Sequence, residues 1–266
     1  MPDRYAVIGN PVTHSKSPWI HAQFARATGE AIEYGRIEAP LDGFVRAVEA
    51  FRAQGGKGLN VTLPFKGDAF RLCAGTSERA AAAQAVNTLV LDRGRPWGDN
   101  TDGVGLVRDL TGNLGRRLAG ARILLMGAGG AAQGVLGPLA QAGAASILIA
   151  NRTLPRAAAL AARVAGVSAC GYDALAGQSF DLVINATSAG LSGELPRLPK
   201  GMLRTGALAY EMVYGRDTEF LAMARAAGAA TSDGLGMLVE QAAESFLVWR
   251  GIRPETGAVL AALRSQ

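Results

Sequence analysis

The chain has 266 residues, 49% hydrophobic and 18% charged, a balance that excludes disorder and fits one large domain or two modest ones. Cys73 and Cys170 stand alone, in neither a C-x-x-C pair nor a metal-ligand spacing, so no disulfide framework and no metal site is expected. The net charge is +5, but the cations are spread along the chain and 23 of the 27 are Arg, which points away from nucleic acid and toward small anionic ligands. Lysine is confined to Lys16, Lys57, Lys66 and Lys200, and histidine to His14 and His21.

The first ten residues lack the basic-then-apolar pattern of a signal peptide. Between Arg122 and Arg152 no residue is charged, a length that could span a bilayer. That stretch is broken by G-A-G-G at 127–130, Pro138 and Gly143, and reads as strand–helix–strand. A cytoplasmic protein without membrane partners is expected.

In chain order, Tyr5–Gly9 reads as a buried strand. Ser17 and Pro18 read as a helix start, hydroxyl cap then proline, with the helix running to Thr28 before Gly29. Ile32–Ile37 reads as a strand, Leu41–Arg52 as a helix, and Gly58–Thr62 as a strand ended by Pro64. A helix over Glu78–Ala83 precedes a strand at Thr88–Leu91, the turn Asp92–Arg93–Gly94 and another short strand. From Asp102 a second unit begins: helix Gly103–Leu110, strand Arg122–Met126, helix Ala131–Ala142, strand Ser146–Ala150, helix Pro155–Val164 and strand Phe180–Asn185. Ala207–Tyr210 reads as a strand, and Thr218–Ala227, Met237–Trp249 and Pro254–Leu263 as helices. Such alternation predicts an α/β protein of two tightly joined units, with a cleft between them as the default ligand site.

Gly127, Gly129 and Ala132 form G-x-G-x-x-A at a strand-to-helix turn. The first Gly permits the turn, the second lets backbone approach a pyrophosphate, and the small third residue allows close helix–strand packing. Gly127, Ala128, Gly129, Gly130 and Ala131 are therefore candidate cofactor-binding residues. After the next strand an NAD enzyme usually carries a carboxylate for the ribose; here stand Asn151, Arg152 and Thr153, with Arg156 beyond. Two arginines at that point suit the 2′-phosphate of NADP.

Four polar segments fall where a bland core would be apolar: 9–18 with Ser15 and Ser17, 60–66 with Thr62 and Lys66, 85–88 with Asn87, and 98–103 with Asp102. Each has a local explanation as cap, turn or strand former. Their clustering at strand ends is what points to a ligand, because α/β folds bind at carboxyl ends of strands.

These segments, with N-V-T-L-P-F-K at 60–66, N-T-D-G at 100–103 and D-G-L-G-M-L-V-E-Q at 233–241, resemble the shikimate dehydrogenase family over nearly the whole chain. The resemblance implies an N-terminal α/β substrate domain (1–102 with 237–266) and a Rossmann-like NADP-binding domain (103–236). It implies reduction of 3-dehydroshikimate with NADPH in aromatic amino-acid biosynthesis. Lys66 and Asp102 would be the catalytic pair, and Ser15 and Ser17 would hold the substrate carboxylate. Thr62, Asn87 and Gln241 would bind substrate polar groups, Tyr214 would face substrate, and Met212 and Gly234 would lie near the nicotinamide. Gln133–Gly134 depart from the Arg–Ala common in the family.

Alcohol–ketone interconversion needs a hydride carrier and a group that exchanges one proton with the oxygen. The sequence leaves that proton assigned jointly to Lys66 and Asp102. Alternatives are a quinate/shikimate dehydrogenase with relaxed cofactor use, a non-catalytic NADP-binding regulator of the same fold, and a folate-type dehydrogenase. The partner expected is a small-molecule substrate, and the assembly a monomer or homodimer.

Overall fold

Leu124, Leu125 and Met126 are fully buried, as a strand covered on both faces requires, and Ala6–Ile8 are equally enclosed. Each run anchors a sheet. The computed structural model describes residues 1–92, 94–187 and 196–265, so Arg93 of the turn read at 92–94 lies outside the described residues. The chain folds into two compact units, Met1–Gly105 with Leu238–Gln266, and Leu106–Met237.

The first unit carries β1 (Asp3–Gly9), α1 (Ser17–Thr28), β2 (Ile32–Glu38), α2 (Phe44–Ala53), β3 (Gly56–Val61), α3 (Lys66–Leu72), β4 (Gly75–Thr76), α4 (Glu78–Ala83), β5 (Thr88–Val90) and β6 (Trp97–Asp99). Helix α5 (Asp102–Arg108) follows. The sheet order is β2-β1-β3-β5-β6-β4, with β1 parallel to β2 and β3, and β5 antiparallel to β3 and β6. Ile8, Leu59, Val61, Phe44, Phe51 and Phe65 pack one core. The polar ends of β1 and β3 and the start of α5 carry the candidate residues.

The second unit comprises β7 (Arg122–Met126), α6 (Gly130–Gln141), β8 (Ser146–Ala150), α7 (Leu154–Ala161), β9 (Val167–Cys170), β10 (Phe180–Asn185), β11 (Leu203–Glu211), α8 (Glu219–Ala226) and β12 (Ala230–Ser232). Then come α9 (Leu235–Arg250) and α10 (Gly257–Arg264), both largely within the first unit. The second sheet is wholly parallel in order β12-β11-β10-β7-β8-β9. The order reverses between β7 and β10, which is where an open α/β sheet binds its ligand. Alternate β7 residues serve opposite faces: Ile123 and Leu125 meet α6 and α7, and Leu124 and Met126 meet α8.

Several boundaries differ from the sequence reading for local reasons. Lys16, not Ser17, occupies the N-cap of α1, and the Ser17 amide donates to Ser15 Oγ. Helix α2 starts at Phe44 because Pro40–Gly43 closes a turn, Gly43 N donating to Pro40 O at 2.9 Å. Pro64 does not end the structured segment: the turn Thr62–Phe65, closed at 3.1 Å, leads straight into α3. Asp102 is the first residue of α5, and its backbone amide donates to Asn100 Oδ1 at 3.2 Å. The edge strands β9 and β12 are half-exposed and lack an apolar run that would announce them.

Candidate active site

The starts of α3 and α5 bring Lys66 and Asp102 together. Lys66 Nζ lies 2.5 Å from Asp102 Oδ2, with the two side chains 17% and 7% exposed. That leaves the ammonium accessible and the carboxylate nearly enclosed. Asn87, just before β5, donates from Nδ2 to Asp102 Oδ1 at 2.9 Å, to Thr101 Oγ1 at 2.9 Å and toward Gln241 Oε1 at 3.3 Å. Its own carbonyl accepts from the Thr101 amide at 2.9 Å. A backbone donor cannot be turned round, so this bond sets the Asn87 amide with its NH2 toward Asp102. Gln241 on α9 is held in turn by Nε2 donating to Leu238 O at 2.8 Å. Its backbone comes so near α5 that a Cβ on Gly105 would sit 2.7 Å from Gln241 N. Glycine there is what lets the two helices touch.

Ser17 is buried and Ser15 half-buried; Ser15 Oγ accepts from Ser17 N at 3.3 Å. The Ser17 hydroxyl is bonded to the Tyr34 phenol, which burial pushes up well above its ordinary value. The phenol donates to Asn60 Oδ1 at 2.6 Å, and Asn60 Nδ2 donates to Ser245 Oγ at 2.9 Å. Ser245 lies 2.8 Å from Thr88 Oγ1 and 3.2 Å from Thr101 Oγ1. A continuous buried chain of polar groups thus joins the serines to Asn87 and Asp102. Thr62 follows β3, with its amide donating to Ile8 O at 2.9 Å. Tyr34, Asn60, Thr88, Thr101 and Ser245 were not assigned to the site from the sequence. Asn60, Thr88 and Thr101 fall within the polar segments at 60–66, 85–88 and 98–103, whereas Tyr34 and Ser245 lie outside them.

In the second unit Gly127 takes φ +101°, and a Cβ there would approach Ala186 O to 3.0 Å. Only glycine suits that turn, which delivers the chain to the N-terminus of α6 at the sheet's reversal point. Gly129 occupies the N-cap, and the first turn of the helix holds no acidic residue. Ala128, Gly130 and Ala131 complete the turn. Past β8, Asn151 Nδ2 donates to Thr153 O at 2.9 Å, and Arg152, Thr153 and Arg156 are exposed. Amides at a helix N-terminus and two exposed guanidinium groups fit a dinucleotide with an extra phosphate. Met212, Tyr214 and Gly234 cluster past β11, where Gly234 N donates to Val213 O at 3.2 Å. Beneath them the Glu211 carboxylate is fully buried and pushed up by desolvation, while accepting from Asn185 at 2.8 Å, Thr218 at 3.1 Å and Val213 N at 3.2 Å. Those bonds fix the turn that carries Met212 and Tyr214.

Three family models match in series: the shikimate dehydrogenase substrate binding domain over residues 7–89, shikimate/quinate 5-dehydrogenase over 109–206, and the shikimate 5′-dehydrogenase C-terminal domain over 234–264. A shikimate dehydrogenase (NADP(+)) of Methylobacillus flagellatus is 57% identical over 268 residues, covering 99% of each chain. The chain belongs to the shikimate dehydrogenase family. Among solved structures, shikimate 5-dehydrogenase from Thermus thermophilus in complex with NADP(H) and shikimate superposes with a TM-score of 0.89 at 34% identity, covering 99% of each chain. An Ael1 enzyme from Pseudomonas putida gives 0.92 at 51%, covering 98% of each. The fold of the shikimate dehydrogenases, a substrate-binding α/β domain and a Rossmann-like domain, is that of this chain. No helix among the described residues is long and apolar enough to cross a membrane, and no cluster of metal-ligating side chains occurs among them.

Proposed function

We infer that this chain is an NADP-dependent oxidoreductase that interconverts 3-dehydroshikimate and shikimate, a step of chorismate and aromatic amino-acid biosynthesis. The observation that carries the residue assignment is the 2.5 Å contact between Lys66 and Asp102, with Asn87 on the other carboxylate oxygen. We assign substrate binding and catalysis to residues 1–102 with 237–266, and nucleotide binding to 103–236.

NADPH, when bound, supplies the hydride to the carbonyl carbon. As the carbonyl oxygen gains negative charge, the Lys66 ammonium donates a proton to it, and the Asp102 carboxylate holds the Lys66 nitrogen in place. In the reverse direction the pair takes that proton back. Asn87 orients Asp102, and its neighbour Gln241 offers an amide to a ring hydroxyl. Ser15 and Ser17 hold the substrate carboxylate by hydroxyl and amide donors, and Thr62 binds a further polar group. By the same reading Tyr214 serves the substrate, and Met212 and Gly234 flank the nicotinamide. Gly127, Ala128, Gly129, Gly130 and Ala131 cradle the pyrophosphate, and Asn151, Arg152, Thr153 and Arg156 hold the adenosine 2′-phosphate.

The free thiols of Cys73 and Cys170 suit a reducing, cytoplasmic setting, and the enzyme works as a monomer or homodimer. The test is NADPH oxidation with 3-dehydroshikimate, followed by nicotinamide absorbance, against quinate oxidation with NAD. Turnover of the first pair alone is expected. A preference for quinate and NAD would overturn the assignment.

A further inference from the structure

Arg152 and Tyr172 leave neighbouring parallel strands at the same register. Ala150 of β8 pairs with Cys170 of β9, and the Asn151 amide still donates to Cys170 O at 3.2 Å. Two residues further on, Arg152 stands beside Tyr172. Gly171 is extended at φ −81° and ψ 164°, which returns Tyr172 to the face that carries Cys170. Packing follows the same count. Ala150, Cys170 and Tyr172 share one apolar cluster, whereas Ile149 and Ala169 belong to the cluster on the opposite face.

The guanidinium of Arg152 acts electrostatically on the Tyr172 phenol, opposing the effect of burial. Tyr172 is half-buried, and its hydroxyl makes no hydrogen bond among the described residues. A ring seated on the core with a free donor beside a cation is a preformed half of an anion site.

We propose that Tyr172 is a cofactor-specificity residue, its hydroxyl donating to the nucleotide 2′-phosphate that Arg152 binds. This rests on the reading of Arg152 and Arg156 as the NADP-selecting pair. Burial pushes the phenol up to about 12, so it stays a neutral donor and brings no negative charge to the phosphate. From a 2′-phosphate the phenol gains a charged acceptor, and from the ribose hydroxyl of NAD only a neutral one. Its contribution therefore favours NADP. A side chain already held by packing also loses little freedom on binding.

The experiment is titration calorimetry of NADP+ and of NAD+ with the full chain, in three forms: unaltered, Tyr172→Phe, and Arg152→Ala with Arg156→Ala. Tyr172→Phe removes one oxygen from a half-exposed ring and leaves its packing intact. It should weaken NADP+ about tenfold, the effect of one hydrogen bond to a charged group, and leave NAD+ within about twofold. Equal weakening of both nucleotides would mean that the ring only supports the adenosine pocket, and would overturn the proposal. So would unchanged affinity for NADP+. If Tyr172→Phe is silent while the double arginine variant loses its preference for NADP+, Tyr172 alone is misassigned. If the arginine variant also keeps its preference, the underlying reading of the arginine pair falls with it.

Discussion

Asn87 Nδ2 donates to Asp102 Oδ1 at 2.9 Å, on the oxygen that Lys66 does not occupy. The carboxylate is therefore held from both sides, and its orientation does not depend on a bound ligand. Because the Thr101 amide engages the Asn87 carbonyl, Asn87 cannot flip without leaving a buried N–H unpaired. The Lys66–Asp102 pair is preorganised by a backbone bond one residue away.

Lys66→Ala should lower kcat by about a hundredfold or more, the usual scale of a general acid–base contribution, with NADP binding and fold unchanged. Lys66→Arg keeps the charge but cannot release a proton near neutral pH, so it should not restore turnover. Steady-state rates at saturating substrate decide the matter. An Arg variant close to wild type would make Lys66 a fixed charge, and two active variants would make it a bystander.

Ser15→Ala and Ser17→Ala should act chiefly on KM, because each removes a contact to a carboxylate away from the reacting carbon. An increase of about tenfold is expected. Ser17→Ala should be the more severe, since it also frees the Tyr34 phenol that anchors Asn60. Unchanged KM with collapsed kcat would show that the substrate lies the other way round.

Replacing both Arg152 and Arg156 by neutral residues should raise KM for NADPH by at least about tenfold and leave that for NADH nearly unaltered, since only the former carries a 2′-phosphate. Both arginines are exposed, so the fold should tolerate the change. Equal loss with both cofactors would assign them another role.

His21 makes stability sensitive to acid. The imidazole is fully buried, stacked on Tyr34 at 4.2 Å between ring centroids, and neither ring nitrogen has a hydrogen-bond partner among the described residues. Asn60 is the polar side chain beside it, but that amide is committed to Asn87 O, Thr88 and Ser245. Burial lowers the His21 pKa from 6.5 to about 3. The unfolded chain then binds a proton that the folded chain refuses. The contribution is intact above the unfolded value and is lost as pH falls from 6.5 toward about 3. The slope should approach 1.4 kcal/mol per pH unit, roughly, within that window. Urea unfolding at neutral pH and near about pH 5 measures it, and His21→Phe should flatten the difference. The same slope in that variant would place the acid sensitivity elsewhere.

How much of this was legible beforehand differs between the two units. Arg122–Met126, Ser146–Ala150 and Phe180–Asn185 read from the sequence with their observed bounds, because a strand buried on both faces is mostly apolar. The glycine turn at 127–130 and the arginines past β8 were equally visible, since turn chemistry and charge are local in sequence. Helix α3 was not, because Pro64 reads as a stop when only its immediate neighbours are considered.

The sequence by itself determined the alternation of strands and helices, the nucleotide turn and the identity of the side chains at strand ends. Only the tertiary structure decided how those side chains are satisfied. Asn60 and Ser245 lie 185 residues apart and meet at 2.9 Å, and Asn87 reaches Gln241 across 154. Periodicity reports which face of an element is buried, but a buried polar group must find a specific partner, and that partner is chosen by the packing of distant elements.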